Sequence, residues 1–281
     1  TGYHNDGYRI GESEFRGRVS GTIYAKAILD KRLKAGLGYN FQVQKTGNFL
    51  IWQNDSLGYT PSGYGDTTAG ASTLSYNFGQ RLFLDPYAKY IDKHNNLHQL
   101  KTRLYWVSNE NLSNASQSNA ATISYADYTF QHKFGQGSTL SAGVTAIQNV
   151  VTSQLFGNHN SQNYAAYSQL EYHKNKLDLS AGVRLEYFEM DGNKPDSQFQ
   201  LPGKDSLFVP VYPVLRTGLH YELKPFTHLR ASFGQGIRYP SVAERFTQTS
   251  VGALNIFPNP ELRPEIGWAG EIGIKQGFKI G

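Results

Sequence analysis

The sequence has no cysteine, a single methionine and no apolar run near the roughly 18 residues that a membrane helix needs. The missing thiols exclude a disulfide framework, Cys-ligated zinc and thiol catalysis. The missing apolar run, with a mean hydropathy of −0.49, excludes a helical membrane protein. It leaves open a β-barrel, whose hydropathy signal per segment is weak. Charge is sparse: 17 % of residues are charged, and the net charge of +5 comes from single Lys and Arg residues without a basic run. That balance reads as scattered solvated charge and not as a nucleic-acid surface. No signal peptide is visible at Thr1. The chain opens in mid-pattern at Thr1 and stops in mid-strand at Lys279 to Gly281, which gives the expectation of an internal piece of a longer protein.

Against these absences stand 29 Gly, 19 Tyr and 16 Phe residues. Aromatics at this level argue against disorder. The dominant order has period two. Leu33, Ala35, Leu37, Tyr39, Phe41 and Val43 share one face, and Lys34, Gly36, Gly38, Asn40, Gln42 and Gln44 share the other. Leu177 to Tyr187 and Leu215 to Leu223 repeat the alternation. A helix would need apolar residues three and four apart, and these segments do not supply them.

Connections alternate between short and long. The short ones lie near 29–32, 93–97, 135–138, 173–176 and 224–227, and are rich in turn formers. The long ones lie near 54–73, 109–120, 153–162, 189–207 and 239–264. Between them the pattern predicts about eleven strands, near 14–28, 33–52, 74–92, 98–108, 121–133, 139–152, 163–173, 177–188, 209–223, 228–238 and 265–279. Strands of ten or more residues suit a tilted membrane crossing, which takes about 9–11 residues. Soluble sandwich strands average about five or six. A closed cylinder satisfies every backbone group in lipid, with short turns at one rim and long loops at the other. The fold class expected is therefore all-β, an antiparallel transmembrane β-barrel.

Trp52, Trp106 and Trp268, with Tyr128, Phe130, Tyr172 and Tyr187, fall near strand ends or on apolar faces. They suit an interfacial aromatic girdle, or else an ordinary core. The polar faces carry both charge signs, among them Arg16, Arg18, Arg103, Glu171, Arg184, Glu186, Arg216, Glu222, Arg230 and Glu271. Such groups are costly in a soluble core and cheap in a wet lumen, and their mixed sign argues against a simple ion filter.

No catalytic or metal constellation stands out. His94, His98, His132, His173, His220 and His228 fall near the short turns, without a carboxylate cluster, and read as interfacial polar aromatics. Gly234-Gln-Gly236 lacks the later Gly-Lys-Ser of a phosphate loop. The reading is of a non-enzyme without cofactor.

One stretch is more specific. Arg238, Pro240, Ser241 and Glu244 close an alternating strand; Asn259, Pro260, Leu262, Pro264 and Glu265 follow in a loop; Glu271 and Gly273 lie on the next strand. These linked motifs resemble the barrel signature of TonB-dependent outer-membrane receptors. The likeness covers about sixty residues, from Pro213 to Gly273. It departs at Arg245-Phe246, where members often show Leu-Tyr or Leu-Phe, and at Gly267, where Ser or Thr is common. The runs Asn77 to Tyr87 and Gly47 to Trp52 look similar to receptors of this kind from Bacteroidetes.

The resemblance implies a barrel of roughly 22 strands around an N-terminal plug, of which residues 1–281 would be a partial barrel. It implies the outer membrane of a Gram-negative bacterium, with its lipid and lipopolysaccharide as surroundings. It also implies active import energised through TonB, which would bind a segment outside this chain. A ferric siderophore is the default cargo, with cobalamin, haem and glycans as alternatives. Arg238, Glu244 and Glu265 become candidates for plug contact or for bracing the upper barrel. The other reading is structural, with prolines ending strands and charges pairing locally. Tyr59, Tyr64 and Phe257 become candidates for stacking on a ligand. A passive porin, an outer-membrane hydrolase and a soluble β-rich binding module are the competing classes.

Overall fold

The computed structural model describes residues 1–5, 10–28, 31–49, 51–66, 72–135, 137–192, 206–251 and 254–278. They form one antiparallel sheet in which each strand pairs with its sequence neighbours. Its members are β1 (Gly2–Asn5), β2 (Ser13–Ile28), β3 (Leu33–Asn48), β4 (Ser75–Ile91), β5 (Leu97–Asn111), β6 (Asn119–Phe134), β7 (Ser138–Ser153), β8 (His159–Lys174), β9 (Leu177–Met190), β10 (Leu207–Lys224) and β11 (Thr227–Arg238). After β11 the chain makes a short helix, α1 (Val242–Phe246), and a small hairpin, β12 (Thr249–Val251) with β13 (Leu254–Ile256). It then returns to pair β14 (Glu265–Gln276) beside β11. The twelve-stranded order is the meander that the alternating connections predict.

The register explains why alternation is maintained. Across β2, β3, β4 and β5 the row Val19, Phe41, Leu82, Trp106 is in line, and across β8, β9, β10, β11 and β14 the row Tyr172, Leu179, Leu219, Ala231, Ile272 is in line. Because the side-chain period is two, one aligned pair fixes the face of every residue in both strands. The apolar face is covered by nothing: Leu179 and Leu219 are 38 % and 39 % exposed, and Ile272 on the sheet edge is 87 % exposed. Among the described residues the buried apolar side chains are few: Val151, Ala165, Phe188, Met190, Val214, Val242 and Phe246, with the prolines Pro61, Pro240 and Pro260 in or beside the long loops. A sheet this large with so small a core is unstable in water, because exposed apolar area carries most of the cost of unburied surface. Hydrocarbon on the outer face removes that cost.

The strands are longer than a crossing requires. Their length ranges from 12 residues in β11 to 18 in β10, against the about 9–11 that span a bilayer. The surplus projects at the long-loop rim. There β5 and β6 run on as far as Asn111 and Asn119, joined by a 3₁₀ turn at Ala115–Gln117. Buried Asn111 donates to Ser75 and Gln117 and accepts from the backbone of Ser113 and Asn114. At the other rim, each short connection has, among its described residues, one in the left-handed region: Lys31, Asn95, Gly135, Asn175 and Phe226. Gly and Asn adopt it readily, whereas Phe226 at φ 67° does so against its side chain.

Two expectations are corrected. The strand read as 33–52 ends at Asn48, and Trp52 stands in the following loop, bridged to Pro61 and edge-on to Tyr59. Trp52 is thus a loop residue and not part of a strand-end girdle. The long connection after β11 is also partly structured, through α1 and the β12–β13 hairpin. Of the expected connections, Leu29, Asp30, residues 67–71 and most of 189–207 lie outside the described residues, as do Lys279 to Gly281.

Candidate functional site

The polar motif residues converge at the long-loop rim. Arg238 closes β11 on the face opposite the Phe233 and Ile237 row, directly across from Glu265 at the start of β14. Its guanidinium donates from Nε and Nη2 to the two Glu265 oxygens, at 2.9 and 2.6 Å, and from Nη1 to Glu244 at 2.9 Å. This fork geometry is particular to arginine. Pro240 stops the strand, since proline offers no ladder donor. Ser241 then caps α1 by accepting from the Glu244 backbone N–H, while the Glu244 carboxylate accepts from the Ser241 N–H at 2.7 Å. The Ser241 N–H, the Arg238 guanidinium and the Ser241 hydroxyl together pull the Glu244 carboxyl down to about 2.

The helix set by this capping box packs against the inner face of the sheet. Val242 and Phe246 join Val151 of β7 and Phe188 and Met190 of β9 in a buried apolar cluster, with Tyr239 beside them. Phe188 stacks on Tyr239 at 4.1 Å, and Phe246 stacks on His159 of β8 at 3.9 Å. Burial, with Glu186 nearby, pushes the Tyr239 phenol up to about 12. The His159 ring has no exposed surface; one nitrogen meets Asp191 at 2.8 Å and the other the Phe156 carbonyl at 2.8 Å. Asp191 in turn accepts from the Asn160 N–H at 2.6 Å.

Arg245 is 1 % exposed and, like the Arg238–Glu265 pair, joins the two sequence motifs. Its guanidinium donates to the Pro260 carbonyl and lies 3.5 Å from the Met190 sulfur. Its backbone carbonyl accepts from the Asn259 N–H at 2.8 Å. In the sequence Arg245 and Phe246 stand out only as departures from the family pattern. A charged residue inside an otherwise apolar face of a capped helix was the available signal. His159 has one local partner, the Phe156 carbonyl, but its other contacts, Asp191 just after β9 and Phe246 of α1, are distant in sequence and leave no local mark.

Below this rim the inner face carries a second polar band. Arg103 of β5 donates to both Asp85 oxygens of β4, each at 2.7 Å. Asp127 of β6 accepts from Thr129 at 3.1 Å, from Thr145 at 2.9 Å and from the Tyr167 hydroxyl at 3.3 Å. Tyr167 reaches it by lying over Gly143, where a Cβ would stand 2.5 Å from the ring. Arg184 of β9 is paired with Glu186, and the other Glu186 oxygen accepts from Asn163 at 2.8 Å. The expected lumen charges therefore do share one face.

The histidines expected near the short turns divide between the two faces. His98 meets Tyr128 and Asp92, and His132 meets Asn96, on the outer side; His173 and His220 both meet Asp178 on the inner side, and His220 lies 3.1 Å from His228. Among the described residues no group of three or more His, Asp or Glu side chains is arranged to hold a metal ion. Arg238, Glu244 and Glu265 come together as one ion triad, so their charges pair locally. Tyr59 and Tyr64 are about half exposed on the β3–β4 loop, and Phe257 is similarly exposed after β13.

A family model described as the β-barrel of TonB-dependent receptor-like proteins matches residues 2–281. Among solved structures, the ferric-catecholate import receptor Fiu of E. coli K12 is 13 % identical, with 98 % of this chain overlying 50 % of that one at a TM-score of 0.67. The FrpB iron transporter of Neisseria meningitidis is 9 % identical, with 96 % overlying 44 % at a TM-score of 0.66. The ferripyoverdine receptor of Pseudomonas aeruginosa is 12 % identical, with 94 % overlying 39 % at 0.56. At such identities the likeness is one of fold. The chain spans half or less of the length of these proteins. No curated protein matches it.

Proposed function

Since the chain belongs to the TonB-dependent receptor-like β-barrel family, we propose that it forms part of a receptor that imports a scarce ligand by active transport. The family is one of transporters without enzymatic activity, and its barrels sit in the outer membrane of Gram-negative bacteria. Residues 1–281 are read as part of a single barrel domain. In this proposal the cargo is a ferric siderophore, energy arrives through TonB, and a plug domain occupies the lumen. Two solved structures of similar fold, a ferric-catecholate import receptor and a ferripyoverdine receptor, support that class of cargo. The Asn77 to Tyr87 run adds a Bacteroidetes-type receptor to the proposal.

The observation that carries the reading is the Arg245 clip. It binds the two sequence motifs into one folded unit on the inner face, beside the long loops, where a gated receptor needs a fixed wall. The Arg238, Glu244 and Glu265 triad braces that wall and gives the plug its contact edge. Tyr59, Tyr64 and Phe257 supply aromatic surface to a ligand in the cup. A passive porin needs the two-faced sheet but has no use for such a unit.

Uptake of radiolabelled ferric siderophores by cells with and without the intact receptor tests this. Expected is uptake that disappears when the proton gradient is collapsed or TonB is deleted. Solute entry that continues under both conditions would overturn active transport and leave the porin. Mass spectrometry of ligand co-purified with the receptor then names the cargo.

A further inference from the structure

His159 opens β8 at the long-loop rim, opposite Val151 of β7, and its ring has no exposed surface. Both ring nitrogens meet oxygen: Nδ1 lies 2.8 Å from Asp191 Oδ1, and Nε2 lies 2.8 Å from the Phe156 carbonyl. A neutral imidazole has one N–H and one lone pair. Neither a carbonyl nor a carboxylate can donate, so no neutral tautomer satisfies both contacts. One nitrogen lone pair would face an oxygen lone pair in a site closed to water. Placing the proton on Asp191 is the less stable arrangement, because an aspartate ordinarily gives up its proton about two to three pH units before an imidazole does. The second Asp191 oxygen also accepts the Asn160 N–H at 2.6 Å, a bond that favours the carboxylate form.

The ring lies flat on Phe246, with centroids 3.9 Å and planes 13° apart. A cation over an aromatic face is attracted by it, so charge on His159 strengthens a contact that ties β8 to α1. The surroundings allow that charge. β7 and the 154–158 connection carry no titratable side chain. β9 brings Asp191 just past its end and the Arg184–Glu186 pair further in. α1 brings Arg245, whose guanidinium lies 4.9 Å from the Phe246 centroid, and Glu244, which is held by Arg238. Tyr239, between β11 and α1, is stacked on Phe188 with its phenol pushed up to about 12. Asp191 is therefore the counter-ion of the ring, and Arg245 is a like charge that it must outweigh.

We propose that His159 carries both ring protons in the folded protein, and that the second proton latches α1, with the 239–264 loop, onto the sheet. Loss of that proton leaves one ring nitrogen without a donor against its oxygen and takes the cation off the Phe246 face. The latch therefore opens as pH rises. The Glu244 capping box fails in the opposite direction, as pH falls. The same short helix is thus released at both ends of the pH scale and held between them. The inference concerns how the loop is fastened, and it stands apart from the cargo and from the import reading.

Hydrogen exchange of the intact receptor in detergent, read by mass spectrometry as protection of the 241–246 amides, tests this. Protection is expected to hold at neutral pH and to fall about tenfold or more in alkali, the effect of losing a hydrogen bond to a charged group. Asp191→Asn keeps an acceptor but removes the anion, so its fall is expected at a proton concentration about tenfold higher. His159→Phe keeps the stack and has no proton to lose; its protection is expected to be lower at neutral pH and flat above it. Should one variant fail to give the heat-dependent gel mobility of a folded barrel, the wild-type profile and the other variant still decide the matter. Three results would each overturn the proposal: wild-type protection unchanged by alkali, a fall in Asp191→Asn at the wild-type pH, or a full alkaline response in His159→Phe.

Discussion

The Arg245 guanidinium donates to the Pro260 carbonyl, and the Arg245 carbonyl accepts from the N–H of Asn259, next to Pro260. One residue of α1 therefore holds the following loop by both side chain and backbone. Arg245→Leu keeps much of the buried volume but leaves the Pro260 carbonyl without its donor. A loss of about 1–3 kcal/mol is expected for a buried acceptor left unpaired. The loss is expected to stay local: residues 239–264 should become cleavable by protease in the intact receptor, with the gel mobility of the folded barrel unchanged. Undiminished protease resistance would show that the clip is dispensable.

The capping box makes the same unit sensitive to acid. The Glu244 carboxyl is held near 2 in the fold against an ordinary 4.5. The folded state thus binds fewer protons than the unfolded one over that interval, and its stabilisation is complete above about pH 4.5 and lost as pH falls toward 2. The protection of the 241–246 amides, as the ratio of intrinsic to observed hydrogen exchange, is expected to fall over that window. Glu244→Gln should be less protected at neutral pH, with a protection that changes little in acid. An equal acid response in the variant would assign it to another group.

The two faces of β9 give a direct test of the membrane assignment. Val183 lies mid-strand on the outer face and Ser180 on the inner. Val183→Arg is expected to cost about 2–4 kcal/mol, the penalty for arginine near the bilayer midplane. Ser180→Arg should cost little. Urea unfolding in lipid vesicles reads both; equal penalties would contradict a lipid-facing Val183 row.

At the short-turn rim, Phe226 holds φ at 67°. Glycine has no side chain to oppose that angle, whereas alanine keeps the opposition. Phe226→Gly is expected to be more stable than Phe226→Ala by about 1 kcal/mol, the usual left-handed penalty for an L residue. The comparison of the two variants removes the effect of losing the aromatic ring. Equal unfolding midpoints would mean that the turn relaxes to another geometry.

The strands were legible because each residue's neighbours along the chain reveal its face. Leu33 to Val43 and Leu177 to Tyr187 read correctly for that reason, and the register keeps both apolar rows on the outer side. The ends were less legible. β3 stops at Asn48 because Trp52 turns to Pro61, a pairing within the loop that alternation does not report. The ion triad was legible in part: its three members sit within recognisable motifs, but their mutual contact needs β14 to lie beside β11 across an intervening helix and hairpin. Arg245 and Met190 are 55 positions apart, and His159 and Phe246 belong to elements that meet only after the sheet has formed. No local pattern encodes such meetings.

The sheet is a single layer, so consecutive residues in it answer to different solvents. On β9, Val183 is judged by hydrocarbon and Arg184 by its partner Glu186. Odd and even positions of one strand are then free to drift separately: the outward set among interchangeable greasy residues, the inward set with its polar partners across the sheet. A wall of this build can be rewritten on its inner side without renegotiating its place in the bilayer.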